Sequence, residues 1–160
     1  MTQGGYANSS GGALEKAVIG ALTSKGFQLV SFGNWQAHPE RYAEELLLRN
    51  APYQTIYRHP GHTEFLLVSR KHAMRIRIEC KWQQTAGSVD EKFPYLYLNA
   101  VEAMPENDII IVVDGGGYKK GALDWLKDAA REKRYMGEAE KTIRVMSLAE
   151  FLTWANTAFR

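Results

Sequence analysis

Two spacings of hydrophobic residues alternate along the chain. In Met74-Arg75-Ile76-Arg77-Ile78-Glu79-Cys80-Lys81-Trp82 every second residue is apolar, the period of an extended strand whose side chains point alternately to opposite faces. Met74, Ile76, Ile78, Cys80 and Trp82 share one face, while Arg75, Arg77, Glu79 and Lys81 share the other. Residues 63–69 read as a second strand. Only Arg70-Lys71-His72-Ala73 separates the two, so they form a β-hairpin.

Elsewhere the period is helical. Leu14, Ala17, Val18, Ala21 and Leu22 predict a helix over 13–25, stopped by Gly26. A second helix is predicted over 39–49, with Tyr42, Leu46 and Leu47 on one side and Asn50-Ala51-Pro52 as its end. Val89, Phe93, Leu96, Tyr97, Ala100, Val101 and Met104 give the best-patterned helix, whose regular part Pro94 places close to itself. Further helices are predicted over 122–134 and after Ser147, where Ser147 and Glu150 have the spacing of a capping box. Strands are expected over 27–32, 53–57 and 142–146. The unbroken run Ile109-Ile110-Ile111-Val112-Val113 marks a strand buried on both faces, the central kind found in mixed α/β sheets. Residues 1–12 are rich in glycine and serine, and a flexible tail is expected there ahead of a single domain over 13–160.

Composition narrows the classes. A chain of 160 residues with 45% hydrophobic content supports one well-buried core. The net charge of +2 permits a nucleic-acid partner without arguing for one. Cys80 stands alone, which excludes an internal disulfide and a cysteine zinc cluster. The polar, glycine-rich start does not read as a signal peptide, and no apolar run approaches the ~18 residues of a membrane span, so a cytoplasmic protein is expected.

Candidate chemistry gathers on the hairpin. A turn centred between Lys71 and His72 sets Glu64 directly across from Glu79. Opposed side chains lie about 5 Å apart at Cβ, and like charges there destabilise unless something offsets them. A divalent cation would do so: two carboxylates and a main-chain carbonyl make a hard oxygen site suited to Mg²⁺. Lys81 projects from the same strand face two residues beyond Glu79. A second feature is Asp114-Gly115-Gly116-Gly117, a strand-to-helix turn followed by Lys119 and Lys120. Such a turn either binds phosphate through exposed amides or needs glycine for positive φ. It is not a nucleotide P-loop, and no ATPase is expected. His59 and His62 flank a Pro-Gly turn with no third ligand near, which argues against zinc.

The order helix, strand, hairpin bearing Glu64 and Glu79-Cys80-Lys81, helix, strand resembles the PD-(D/E)XK nuclease superfamily, the restriction-endonuclease-like fold. The likeness covers roughly residues 13–113 as a core, with 115–160 as a continuation. Thr63-Glu64 stands where the family more often has Pro-Asp, a departure at the first acid. The resemblance implies an α/β fold with a central mixed β-sheet flanked by helices, core order αβββαβ. It also implies Mg²⁺-dependent hydrolysis of a phosphodiester, Mn²⁺ substituting, with Glu64, Glu79 and the Cys80 carbonyl holding the ion. Family members often carry an acid on the first helix, the place of Glu15; the other reading of Glu15 is a carboxylate at the positive end of the helix dipole.

An ordinary lysine is protonated, so Lys81 is expected to orient the attacking water rather than deprotonate it. Gln83 continues the same face and either contacts that water or a phosphate, or simply ends the strand. Arg75, Arg77, Lys119 and Lys120 are candidate contacts to the nucleic-acid backbone, which position a duplex without reading it. The expected activity is that of a DNA endonuclease, in which a homodimer would supply two centres for a double-strand cut. The alternative is a non-catalytic nucleic-acid-binding domain of the same fold.

Overall fold

The run Ile109 to Val113 has no polar face, and the fold gives it none to expose. In the computed structural model, which describes residues 4–160 and the side chains from residue 12 onward, these five residues are all buried in strand β5, Asp108–Asp114. It lies between β4, Met74–Trp82, and β6, Thr142–Met146, parallel to both. Before them come β1, Gln28–Ser31, β2, Glu45–Gln54, and β3, Pro60–Ser69. The six strands stand in the sheet in chain order, with β2, β3 and β4 an antiparallel meander and β1 parallel to β2.

Helices cover both faces. One layer is α1, Gly4–Thr23, with α5, Leu148–Ala158, packed over Leu47, Phe65, Leu67, Ile76, Ile78 and Cys80. The other is α3, Val89–Glu102, with α4, Lys120–Arg131, packed over Ile109, Ile111 and Val113. The path α1-β2-β3-β4-α3-β5 is the expected αβββαβ core within a mixed sheet. The capping box opens α5 as its spacing predicts, with Ser147 Oγ accepting from the Glu150 N–H and Glu150 Oε1 from the Ser147 N–H, both at 3.2 Å. Lys141 closes the far end of α3: its buried ammonium donates to the carbonyls of Ala100 and Met104, where the helix leaves acceptors unpaired. No helix among the described residues is long and apolar enough to cross a membrane.

Four expectations change. The strand predicted over 53–57 keeps only Tyr53 and Gln54, as the end of β2, and the chain turns from Thr55 before β3 begins at Pro60. The helix predicted over 39–49 is a 3-10 turn, Pro39–Arg41, followed by β2. Leu46, Leu47 and Leu48 are all buried there because β2 lies between β1 and β3 with side chains packed on both faces, so both faces are apolar and the spacing mimics a helix. Pro52 is compatible with this strand because β1 pairs only as far as Arg49, leaving the proline on an open edge. A short helix, α2, Phe32–Ala37, capped by Ser31, precedes the turn.

The other two concern helix starts. Pro94 lies inside α3 rather than near its beginning; it is exposed, and only the Asp90 carbonyl loses its helical partner. Of the tail expected over 1–12, residues 1–3 lie outside the described residues, and from Gly4 the backbone is already helical.

Candidate active site

The hairpin pairs Phe65 with Ile78 and runs in register to Ser69 with Met74, the register that the turn position predicts. Past Phe65 the strands part. β3 continues along β2 alone, while β4 continues along β5 to Trp82. Glu64 and Glu79 face each other in this opening. A Glu64 oxygen accepts the Cys80 N–H at 2.8 Å, in place of the ladder bond that the departing strand no longer offers. The N–H and C=O of an extended residue point to the same edge of the strand, so the Cys80 carbonyl faces the opening as well.

Charge in the opening is unbalanced. Burial first, and then the Glu79 charge, push the Glu64 carboxyl up to about 8. Lys81 lies 2.9 Å from Glu79 Oε1 and keeps 29% of its side chain exposed. Burial opposes its ammonium, but the Glu79 and Glu64 carboxylates outweigh that and hold Lys81 above the ordinary lysine value. Lys81 is therefore a proton donor at neutral pH and not a base. The Cys80 thiol is pushed well up by burial and by the neighbouring acids, which makes it inert.

An all-oxygen set of two crowded carboxylates and a free carbonyl has the chemistry of a Mg²⁺ site. Glu15, on α1, borders it. Burial and the Glu64 charge raise its carboxyl, and Arg49 lies 3.9 Å away. Because α1 begins at Gly4, Glu15 is far from the positive end of the helix and the dipole reading is set aside. Among the described residues no three His, Cys, Asp or Glu side chains converge into a metal cage.

The raised Glu64 carboxyl has a consequence for stability. Its folded value lies above its unfolded one, so the metal-free protein loses stability as pH rises from about 4.5 towards 8. Glu64→Gln keeps an oxygen to accept the Cys80 N–H and removes the ionisation. Without metal, this variant is expected to melt several degrees above the wild type at pH 8.5 and level with it near pH 4, in thermal scans followed by circular dichroism. Added Mg²⁺ should narrow the gap at pH 8.5.

Gln83 has a different job from the one its strand position suggested. It is buried; its amide donates to the Gly117 carbonyl at 3.0 Å, and its side-chain oxygen accepts the Val89 N–H at 3.0 Å. Its amide nitrogen and oxygen tie the glycine turn to the start of α3, which makes it a support of that turn rather than a group turned to solvent. The glycines follow from that closeness. A Cβ at Gly117 would come within 2.6 Å of the Gln84 carbonyl carbon, and Gly115 and Gly116 have φ of 110° and 73°. The turn is built for close approach and positive φ. Asp114 adds to it, accepting from the N–H groups of Gly115 and of Leu148 at the start of α5.

Arg77 is likewise not a phosphate contact. It is 2% exposed, and its five N–H groups donate to Glu106 twice, Ala51 O, Thr63 Oγ1 and Pro52 O. No donor is left for DNA. Arg75 is exposed but lies at the other end of β4, about 20 Å from Lys81 at strand rise, with Glu106 at 3.8 Å. Lys119 and Lys120 do sit at the end of the sheet that bears Lys81, because Trp82 pairs with Asp114 and the turn follows directly. Both are exposed, and Lys120 is shared with Asp124 at 2.8 Å.

Two tyrosines, one bonded to the Lys81 peptide and one beside Glu79, carry no sequence signal, because tertiary packing alone brings them in. The Tyr118 hydroxyl donates to the Lys81 carbonyl at 2.8 Å, fixing the peptide that carries the lysine. Tyr53 stands by Glu79. Burial, then Glu79 and Tyr95, push its phenol up to about 12.

A family model described as a PD-(D/E)XK nuclease superfamily domain matches residues 6–159. No curated protein and no solved structure matches the chain.

Proposed function

We propose that this chain, which belongs to the PD-(D/E)XK nuclease superfamily, is a metal-dependent DNA endonuclease. The observation that carries the reading is the meeting of Glu64, Glu79 and Lys81 in the opening between β3 and β4, with the Cys80 carbonyl facing the same space. Glu64, Glu79 and that carbonyl are the groups that would hold Mg²⁺, or Mn²⁺ in its place, which supplies Lewis-acidic positive charge at the scissile phosphate. Lys81 orients the attacking water and gives hydrogen bonds to phosphate oxygens as negative charge builds on them. Glu79 aims that ammonium through its 2.9 Å contact. Tyr118 holds the Lys81 peptide still, and Gln83 holds the loop that carries Tyr118.

Lys119 and Lys120 supply sequence-independent contacts to the DNA backbone. The proposed compartment is the cytoplasm, whose reducing conditions suit a lone buried thiol. A homodimer would cut both strands in one encounter. Supercoiled plasmid incubated with the protein and Mg²⁺ should give nicked and then linear product, with EDTA stopping the reaction. If neither Mg²⁺ nor Mn²⁺ supports cleavage of linear, nicked, branched or single-stranded DNA, the non-catalytic binding domain is the better reading.

A further inference from the structure

An aromatic strip leads outward from the acids. Tyr53, next to Glu79, feels Tyr95 of α3 as its neighbour. Tyr95 in turn stacks on Tyr57, with ring centroids 5.0 Å apart and planes inclined by 28°. Tyr57 stands at the tip of the β2–β3 connection and is 66% exposed, with the His59 ring 6.0 Å away. The pair therefore turns one flat aromatic face to solvent, and Tyr53 links it back to Glu79.

The tip is built rather than loose. Thr55 donates its N–H to His59 O, and Arg58 donates its N–H to Thr55 O. The Ile56 N–H reaches across to the buried Asn99 side chain on α3 at 2.9 Å, which fastens the tip to the helix that carries Tyr95. Gly61 leaves no room for a Cβ, which would meet Thr55 Cγ2 at 2.7 Å. Arg58 is held at a φ of 62°, a backbone state that a non-glycine residue keeps only when its surroundings enforce it. Tyr57 is thus presented in a fixed place, with little side-chain freedom to lose on binding.

The charge around it suits a polyanion. From Gln54 to His62 the chain carries Arg58, His59 and His62 and no acidic residue. Across α3, Glu91 and Lys92 neighbour Tyr95 at helical spacing and offset each other. A flat exposed ring backed by a second ring, next to an arginine, is the arrangement on which unpaired bases stack while the backbone finds a cation. Duplex bases are stacked on one another and offer no face to it.

Resting on the nuclease reading above, we propose that Tyr57, backed by Tyr95, is a stacking platform for single-stranded DNA, so that the enzyme acts where its substrate exposes unpaired nucleotides. The test is binding of a fluorescein-labelled oligothymidylate and of a matched duplex, measured by fluorescence anisotropy with EDTA present so that cleavage plays no part. Tyr57→Ala should bind the single strand about 5- to 100-fold more weakly, the range that loss of one stacked base gives, and the duplex within about twofold of the wild type. Tyr57→Trp should retain single-strand binding. Tyr57→Ala binding the single strand as the wild type does, or losing both ligands equally, overturns the proposal. Because this readout needs no catalysis, a protein that fails to cut but shows the Tyr57 effect would sink only the nuclease reading.

Discussion

Glu79→Ala is expected to abolish plasmid cleavage, and Lys81→Ala to slow it by about 10² to 10³-fold, the usual cost of losing one group that stabilises transition-state charge. The two losses differ in kind. Glu79 is an expected ion ligand and also the group that aims the Lys81 ammonium, so its removal takes away two functions together. In the proposed mechanism Lys81 acts on the reacting groups and holds no ion. Stability separates these effects from misfolding, and the sign is opposite for the two variants. Burial and then the Glu79 charge hold the Glu64 carboxyl up, and removing Glu79 relieves the second of these, so the metal-free variant should melt at or above the wild-type temperature at pH 8. Removing Lys81 leaves two facing carboxylates without their cation, and that variant should melt below it. Single-turnover cleavage assays beside thermal scans read both. A folded Glu79→Ala protein that still cuts would end the assignment of this opening as the catalytic centre.

Arg77→Met carries the largest expected cost in stability, about 3 to 5 kcal/mol in urea unfolding, because it strands the buried Glu106 carboxylate. It also leaves the carbonyls of Ala51 and Pro52 without the donors that Arg77 now supplies, so two further buried or half-buried acceptors lose partners. Arg77→Met with Glu106→Met should recover part of the loss, since the penalty lies in the unpaired charge more than in the missing bond. The fraction that remains folded should cut DNA at the wild-type rate. A fall in cleavage with stability unchanged would instead return Arg77 to the DNA-contacting set.

That residue shows where reading the sequence stops. Alternation placed Arg75, Arg77, Glu79 and Lys81 on one face correctly, but periodicity does not say whether a polar face meets water or a second layer. Here it does both: Arg75 is exposed, while Arg77 lies under Glu106, the Tyr53 ring and the backbone of Ala51 and Pro52, where Arg77 and Glu106 neutralise each other. The hairpin register was legible because a short turn between two alternating runs leaves few ways to pair. The Leu46-Leu47-Leu48 run was not, because a strand apolar on both faces matches a helix at short range. Gln83 looked catalytic from its parity with Lys81. Its partners, Gly117 in the glycine turn and Val89 at the start of α3, are brought near only by the folded sheet.

The bond from the Cys80 amide to Glu64 makes that one N–H a resident spectroscopic probe. In most of the sheet an amide proton reports on another backbone group, but this one ends on an ionisable oxygen at the centre of the opening. Its nitrogen and proton resonances will follow the protonation of Glu64 and the arrival of a cation, through a single assigned peak. The state of the site can then be read in solution with no DNA present and without changing a residue.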